Sequence, residues 1–260
     1  MLVKRGAKLF DPESIKATIM SQQWSNATKA QMIAAYKKFA VLNDIKWTPP
    51  KYEIIRKLPF IPLEKEIDEF IACTGKKMSV ILQTLKETGA RIGEALRIEW
   101  TDIDFEKCVI SINKPEKRGN ARAIKVSQKL IAMLNRLPKD RVNVLGSSLQ
   151  TVRNSFCAQR KRAAMKLNNP RLLRIHFHTL RHWKATMEYH RTKDILYVMK
   201  LLGHKNIANT LIYTQLVEFE ENDKFCTAIA KNVEDAEDLI SAGFEYVCTY
   251  GDVMIFRKRK

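Results

Sequence analysis

Two segments place an arginine in or beside the first turn of a predicted helix. In T-G-A-R-I-G-E-A-L at 88–96, Arg91 stands where the helix is expected to begin. In H-T-L-R-H at 178–182, His178 and Arg181 are three residues apart and therefore share one helix face. The free amide groups and the dipole at a helix N-terminus favour an anion. Both segments therefore predict phosphate-binding positions.

A third segment joins a histidine to a tyrosine. L-L-G-H at 201–204 is followed by T-L-I-Y, so that His204 and Tyr213 are nine residues apart across a short turn. Each of the three segments is weakly specific when taken alone. An arginine in a first helical turn is usually a surface residue, a single histidine usually packs, and a tyrosine in an apolar run usually belongs to the core.

Other chemistries lack support in the sequence. There is no G-x-G-x-x-G, and Gly75-Lys76-Lys77 lacks the remaining residues of a phosphate-binding P-loop. The H-x-H-x3-H pattern at 176–182 has no carboxylate or cysteine beside it, and the five cysteines contain no C-x-x-C pair. We therefore expect neither a nucleotide cofactor nor a metal ion, and no disulfide framework.

Positive charge is concentrated in the middle of the chain. The 260 residues carry a formal net charge of +18 with a pI near 9.7. Residues 117–174 hold 15 Lys and Arg but only one acid, Asp140, whereas residues 218–260 have a net charge of −4. Such a basic stretch indicates a polyanionic partner, most often nucleic acid, with an anionic membrane as the rival. No run of about 18–20 apolar residues predicts a membrane span, and the N-terminus does not resemble a signal peptide.

Three parts are expected along the chain. Residues 1–57 are predicted to form a short helical domain, and a proline-rich connector follows. Residues 58–217 read as a mainly helical domain that contains one β-hairpin, with strands at 108–112 and 123–126 and a basic turn at 114–120. Residues 218–260 read as an acidic tail formed by one helix and a second hairpin around Gly251-Asp252. The predicted fold class is therefore mainly α with a small β component.

Together and in this order, the segments closely resemble the tyrosine recombinase/integrase family, especially its archaeal members. The resemblance covers 58–217 and rests on A-R-I-G-E-A-L, the basic hairpin, H-T-L-R-H, and L-L-G-H with its tyrosine. It implies the catalytic domain of that family, preceded by a helical core-binding domain. Residues 1–57 are short for a core-binding domain of this kind.

The resemblance also implies catalytic roles. Tyr213 would be the nucleophile that attacks a DNA phosphate, which leaves a 3′-phosphotyrosyl link and a free 5′-hydroxyl without ATP or a metal cofactor. Arg91 and Arg181 would bind the non-bridging oxygens of that phosphate. His204 would add a hydrogen bond, and His178 would be the general base for the tyrosine.

Further residues follow from the same resemblance. Glu94 would order the site without reacting. A lysine on the hairpin turn would protonate the 5′-oxygen; Lys117 fits best and Lys114 is the alternative. His176 and His182 are expected to support the site or contact phosphate rather than to catalyse. Predicted DNA contacts are Lys114, Arg118 and Arg122 on the hairpin, and Arg160, Lys161, Arg162 and Lys166 on the helix 147–167, whose basic face could alternatively be a solvated surface.

These expectations define a site-specific DNA recombinase, the integrase of a prokaryotic or viral mobile element, acting in the cytoplasm on duplex DNA. A type IB topoisomerase-like relaxase or resolvase is the rival within this chemistry. The rival from another class is a DNA-binding regulator or architectural protein that retains the fold without catalysis. We expect a homotetramer on DNA, with residues 218–260 either contacting the neighbouring protomer or packing as a cap on their own domain.

Overall fold

The computed structural model describes residues 1–54, 58–216 and 225–259, and it divides into two compact units, Met1–Leu58 and Pro59–Lys260. The first unit is built on two helices, α1 (Pro12–Ser21) and α2 (Asn26–Leu42). The side chain of Asp11 accepts hydrogen bonds from backbone amides at the start of α1, and Ser25 does the same for α2. Buried side chains from both helices form the core of this unit.

Seven helices form the frame of the second unit up to residue 216. They are α3 (Glu64–Ala72), α4 (Lys76–Thr88), α5 (Ile92–Leu96), α6 (Gln128–Asn135), α7 (Leu149–Lys166), α8 (Phe177–Thr192) and α9 (Ile195–Leu202). The apolar faces of α3 to α8 meet in one large core, and Val198 and Leu202 of α9 are buried in a smaller cluster beside α8. The predicted fold class, mainly α with small sheets, is confirmed.

Helix α4 lies at the centre of this core. Nine of its residues are buried, among them Ile81, Leu82 and Leu85. The helix ends at Gly89, whose φ of +60° is the left-handed conformation that glycine adopts readily. Two residues later Arg91 stands immediately before α5.

The predicted hairpin is present and belongs to a three-stranded antiparallel sheet. Its strands are β1 (Ile103–Asp104), β2 (Val109–Ile112) and β3 (Arg122–Lys125), in the order β1-β2-β3. Ile110 pairs with Ile124 across the two longer strands, and both side chains are buried. The sheet therefore anchors the basic turn to the helical core.

The C-terminal residues fold around a core of their own. Strands β4 (Phe225–Ala230), β5 (Glu245–Tyr250) and β6 (Val253–Arg259) form a sheet in the order β4-β6-β5, and α10 (Val233–Ser241) packs on it through Ala236. The helix and the hairpin were predicted, whereas β4 was not. Small residues occupy the inward positions of β4, such as Ala230, so its sequence lacks the large alternating side chains that reveal a strand. Within the described ranges, no helix is long and apolar enough to cross a bilayer.

Candidate active site

Arg181 is fixed between the ends of two helices. Its guanidinium donates from Nη1 to the carbonyl oxygen of Gly89 at 2.7 Å and from Nη2 to that of Leu202 at 2.8 Å. These carbonyls lie at the C-terminal ends of α4 and α9, where the helix dipole attracts a cation. The residue is 1% exposed. Burial, together with the charge of Arg91, lowers the pKa of Arg181 to about 10, so it remains positive at neutral pH.

Glu94 holds Arg91 in place at the start of α5. One carboxylate oxygen accepts from Arg91 Nη1 at 2.8 Å, and the other accepts from the Arg91 backbone amide at 2.9 Å. Burial alone would raise the pKa of Glu94, but hydrogen bonds from Arg122 and from the backbone outweigh it and lower the pKa to about 2. Glu94 is therefore a permanent anion that orients one of the two predicted phosphate-binding arginines.

Arg122 does not lie where the sequence analysis placed it. We predicted that it contacts DNA, but its side chain is only 4% exposed and donates to Glu94 at 2.7 Å. The reason is strand alternation, because Arg122 and Ile124 lie on the same inward face of β3. We therefore assign Arg122 to the support of Glu94.

Hydrogen bonds hold the turn between β2 and β3 at both of its ends. The Glu116 amide donates to Glu94 at 3.0 Å, and the Glu116 carboxylate pairs with Arg97 at 3.3 Å. At the other end, the Asn120 amide donates to the carbonyl of Gly203 at 3.1 Å. Between these ties, Lys117 and Arg118 adopt φ values of +52° and +57°, which are uncommon for residues other than glycine.

The two candidate lysines of the turn have different surroundings. Lys117 lines a cavity of about 370 Å³ that also contains Arg91 and His178. The ammonium group of Lys114 instead forms an ion pair with Glu99. These positions favour Lys117 over Lys114 as the proton donor.

That cavity has the charge expected of an anion-binding site. Besides Arg91, Lys117 and His178, its lining includes His176, Arg153 and one acid, Glu116, whose carboxylate is paired with Arg97. Arg153 was not singled out from the sequence, although it lies in the basic stretch 117–174 and on the exposed side of α7. It is the one cationic side chain of this lining that the motifs did not identify.

His178 and His204 are both neutral at pH 7. Burial of each ring is the main cause, and neighbouring positive charges that include Arg181 and Arg91 add to it. Together they lower the pKa of each histidine to about 4. His204 Nδ1 lies 2.9 Å from Thr210 Oγ1, which fixes the orientation of its ring.

The side chain of Tyr213 is buried by other residues of the same chain. It lies in a 3-10 turn, Leu211–Leu216, and packs against Ala185, Val198 and Leu202. Burial raises the pKa of Tyr213, while the charges of Arg181 and Arg91 act in the opposite direction. Tyr213 is 2% exposed, so water screens its interaction with these charges little.

The tyrosine hydroxyl meets a histidine that we had not predicted to catalyse. Tyr213 Oη lies 3.1 Å from Nδ1 of His182, the residue that follows Arg181 on α8. The rings of His182 and His178 are in edge-to-face contact with centroids 4.6 Å apart. The sequence does carry one signal for this arrangement, because His178 and His182 are separated by one helical turn.

The remaining predicted DNA contacts divide into two groups. Arg160 is half-buried, and its Nη1 lies 2.6 Å from the Ile175 carbonyl oxygen and 3.0 Å from His176 Nδ1. Lys161, Arg162 and Lys166 are exposed on α7, and Arg118 is exposed on the turn. In the part of the chain that the structure describes, no three His, Cys, Asp or Glu side chains are grouped so that they could hold a metal ion.

Comparison with known proteins identifies the family. The model of the Phage integrase family matches residues 63–219, which is more than half of the chain. Tyrosine recombinase XerA of Saccharolobus solfataricus is 26% identical over 204 residues, covering 77% of this chain and 67% of the relative. XerA of Pyrococcus furiosus is 28% identical over 201 residues, covering 72% of this chain and 68% of the relative.

Solved structures share the fold. A crystal structure of XerA recombinase covers 93% of this chain and 89% of its own, with a TM-score of 0.52 and 20% identity. XerH site-specific recombinase bound to its difH substrate gives a TM-score of 0.59 and 21% identity, covering 78% of this chain and 67% of its own. The Tn1549 transposon integrase in complex with transposon right-end DNA gives a TM-score of 0.59 and 17% identity, covering 91% of this chain and 85% of its own.

These matches confirm the resemblance that the motifs indicated. The family model spans the segment that contains Arg91, Arg181 and Tyr213. The chain belongs to the phage integrase family and is a tyrosine-type recombinase.

Proposed function

We propose that the protein is a site-specific DNA recombinase that cuts and rejoins duplex DNA through a 3′-phosphotyrosyl intermediate. The observation that carries this proposal is the position of Tyr213. The chain buries its hydroxyl against α8, within reach of the charges of Arg181 and Arg91. A tyrosine within the electrostatic range of two arginines is suited to attack a phosphodiester.

Cleavage begins with the binding of one DNA phosphate by Arg91 and Arg181. The site binds its scissile phosphate through fixed cations, which stabilise the additional negative charge of the pentavalent transition state. Glu94 and the two carbonyls bound by Arg181 hold these cations before DNA arrives, so little reorganisation is needed at the moment of reaction. His204 supplies a further hydrogen bond to the phosphate.

The phenolate oxygen of Tyr213 then bonds to phosphorus, and the bond from phosphorus to the 5′-oxygen breaks. Lys117 gives a proton to the departing 5′-oxygen. The energy of the broken ester bond is retained in the phosphotyrosyl link, so a 5′-hydroxyl of a second strand can attack it and restore the phosphodiester. The DNA backbone runs along the exposed cations of the turn and of α7, namely Arg118, Lys161, Arg162 and Lys166.

Recombination between two marked duplexes tests this proposal. The duplexes should span the DNA that flanks the gene, because an integrase of a mobile element acts on its own ends. We expect joined products from the wild type and none from Tyr213→Phe, which retains the ring but lacks the nucleophile. Relaxation of a supercoiled plasmid without exchange would identify a relaxase, and binding without either reaction would identify an architectural protein.

We also propose that the protein assembles as a homotetramer on DNA and acts in the cytoplasm. The acidic C-terminal part supports a contact between protomers. Four carboxylates of α10, at Glu234, Asp235, Glu237 and Asp238, are exposed, whereas the preceding 217 residues carry a large positive net charge. An acidic helix on one copy is electrostatically complementary to the basic surface of another.

Removal of residues 218–260 tests the assembly proposal. If the tail joins protomers, the truncated protein should bind a single site normally but lose the slower, multi-protomer complex in native gels and by light scattering. A truncated protein that forms this complex and recombines at the wild-type rate would show instead that the tail is a cap on its own domain.

A further inference from the structure

We infer that His182, rather than His178, accepts the proton of Tyr213 when the tyrosine attacks. The inference rests on the proposed strand-transfer activity and assigns one proton within it. His182 Nδ1 lies 3.1 Å from Tyr213 Oη. Within the described residues, this is the one side-chain hydrogen bond of that hydroxyl.

The contact has the geometry of a general base and its acid. A base must lie within hydrogen-bonding distance of the proton that it removes, and His182 meets this condition without any movement. The centroids of the His182 and Tyr213 rings are 5.8 Å apart, so the two side chains approach through their polar edges rather than by stacking. Helix α8 fixes the base, and the 3-10 turn Leu211–Leu216 fixes the acid.

The protonation state of His182 suits this role. Burial, followed by the charge of Arg181, lowers the pKa of His182, so its imidazole is neutral at pH 7. In the tautomer that carries its proton on Nε2, Nδ1 has a free lone pair and accepts the hydrogen bond from the tyrosine hydroxyl. The charged groups that face this ring are Arg181 and His178 on its own helix and Tyr213 on the turn packed against it.

His178 occupies the other side of this pair. Its ring contacts His182 edge to face, and it lines the cavity together with Arg91 and Lys117. His178 is therefore placed to bind the phosphate and to fix the plane of the His182 ring, whereas the described structure shows no hydrogen bond from it to Tyr213. This division differs from the roles that the resemblance implied for the two histidines.

The proton balance closes over one complete cycle. On cleavage, the proton of Tyr213 moves to His182 Nδ1, the phenolate bonds to phosphorus, and Lys117 protonates the departing 5′-oxygen. On rejoining, the incoming 5′-hydroxyl gives its proton to Lys117, and the imidazolium of His182 returns its proton to Tyr213. No external acid, base or cofactor is consumed.

Single-turnover cleavage by substituted proteins tests the inference. His182→Asn is the matched variant, because its amide can bond to the tyrosine hydroxyl but cannot take its proton. We expect a loss of about 100-fold or more at pH 7, since general bases contribute roughly 10²–10⁴-fold. Replacing Tyr213 by a fluorinated tyrosine of lower phenol pKa should restore most of that rate, because a readily ionised phenol needs no base. The same replacement should leave the defect of His178→Asn unchanged.

Two results would overturn the inference. One is a His182→Asn protein that cleaves within about threefold of the wild type. The other is a defect that fluorotyrosine does not relieve, which would make His182 a packing residue. Circular dichroism should confirm folding, and His182→Gln serves as the second variant if the Asn protein is unfolded.

A readout that does not depend on cleavage separates this inference from the proposed function. Fluorine NMR of a fluorotyrosine at position 213 reports its ionisation in the DNA-free protein. We expect His182→Asn to shift both the resonance and its titration midpoint, whereas His178→Asn should shift them less. If His182→Asn produces these shifts but the protein with His182 forms no DNA adduct, the result would contradict the strand-transfer proposal alone. Unchanged spectra in an active protein would contradict the role of His182 alone.

Discussion

Glu94 and Arg122 form an ion pair from which solvent is excluded. Their charged atoms are 2.7 Å apart, and the side chains are 0% and 4% exposed. Glu94 also receives hydrogen bonds from Arg91 and from the backbone of Glu116. One carboxylate thus joins Arg91, for which we propose phosphate binding, to the inward face of β3 and to the turn that carries Lys117.

The ion pair between Glu94 and Arg122 predicts how the free energy of unfolding depends on pH. The pKa of Glu94 is about 2 in the folded protein, below its usual value near 4.3. Because the folded pKa is lowered, the stabilisation is complete above about pH 4.3 and is lost as pH falls towards 2. A shift of this size corresponds to roughly 3 kcal/mol. Urea unfolding of the wild type should therefore show a steep loss of stability in this window.

Glu94→Gln should remove that acid dependence and also weaken the protein at pH 7. The substitution leaves Arg122 buried without a counter-charge, which typically costs about 3–5 kcal/mol. Glu99→Gln is a matched control, because its carboxylate pairs with Lys114 at a more exposed position and is expected to cost less than about 1 kcal/mol. Equal stability losses in the two variants would contradict the role assigned to Glu94.

The different surroundings of Lys117 and Lys114 predict a different chemical defect when each lysine is replaced. Lys117→Ala should slow cleavage by about 100-fold or more, because the 5′-oxygen departs without a proton. A substrate with a 5′-bridging sulfur, which leaves readily as a thiolate, should restore the rate. Lys114→Ala, which removes an ion pair with Glu99, should change the rate little on either substrate. Rescue of Lys114→Ala instead of Lys117→Ala would transfer the assignment to Lys114.

Gly93 is predicted to set the position of the same turn. A Cβ at this residue would lie 2.0 Å from Glu116 Oε1. In Gly93→Ala the Glu116 carboxylate must therefore move, which breaks its pair with Arg97 and loosens the segment next to Lys117. We expect cleavage to fall several-fold, and the fall should be smaller when the substitution is made in a Glu116→Ala background, because the clashing group is absent. Strict additivity of the two rate effects would rule out this contact as the cause.

Two glycines that end helices should differ in their tolerance of a side chain. Gly203 and Gly89 both have positive φ, +67° and +60°. A Cβ at Gly203 would lie 2.7 Å from the carbonyl oxygen of Asn120, whereas one at Gly89 first meets the Leu202 side chain at 3.2 Å. In both alanine variants the left-handed backbone lowers the free energy of unfolding by about 1 kcal/mol. Gly203→Ala must in addition displace backbone next to the turn. Thermal unfolding and cleavage should both be impaired more by Gly203→Ala; equal effects would argue against the close approach.

Motifs predicted the parts of the site that depend on local sequence. Arg91 and Arg181 could be found because each belongs to a short segment at a helix start, and Tyr213 because it follows His204 at a fixed spacing. Arg122 was placed wrongly because its charge was weighed without its strand position. Its alternation with Ile124 already indicated an inward side chain.

Other features depend on contacts that the sequence does not encode locally. The hydrogen bond between His182 and Tyr213 joins residues 31 positions apart, and it requires α8, α9 and the final turn to pack together. The preference for Lys117 over Lys114 likewise depends on Glu99, which lies on another segment and takes Lys114 as its partner.

The proposed mechanism requires that Tyr213 becomes covalently attached to DNA. Incubation with a nicked duplex, from which the short 5′-hydroxyl fragment diffuses away, should trap the adduct because rejoining is prevented. Protease digestion and mass spectrometry should then find the nucleotide on the peptide that contains Tyr213, linked through a 3′-phosphate, and Tyr213→Phe should give no adduct. An adduct on any other residue, or one that persists in Tyr213→Phe, would contradict the mechanism, as would a wild type that recombines DNA without forming one.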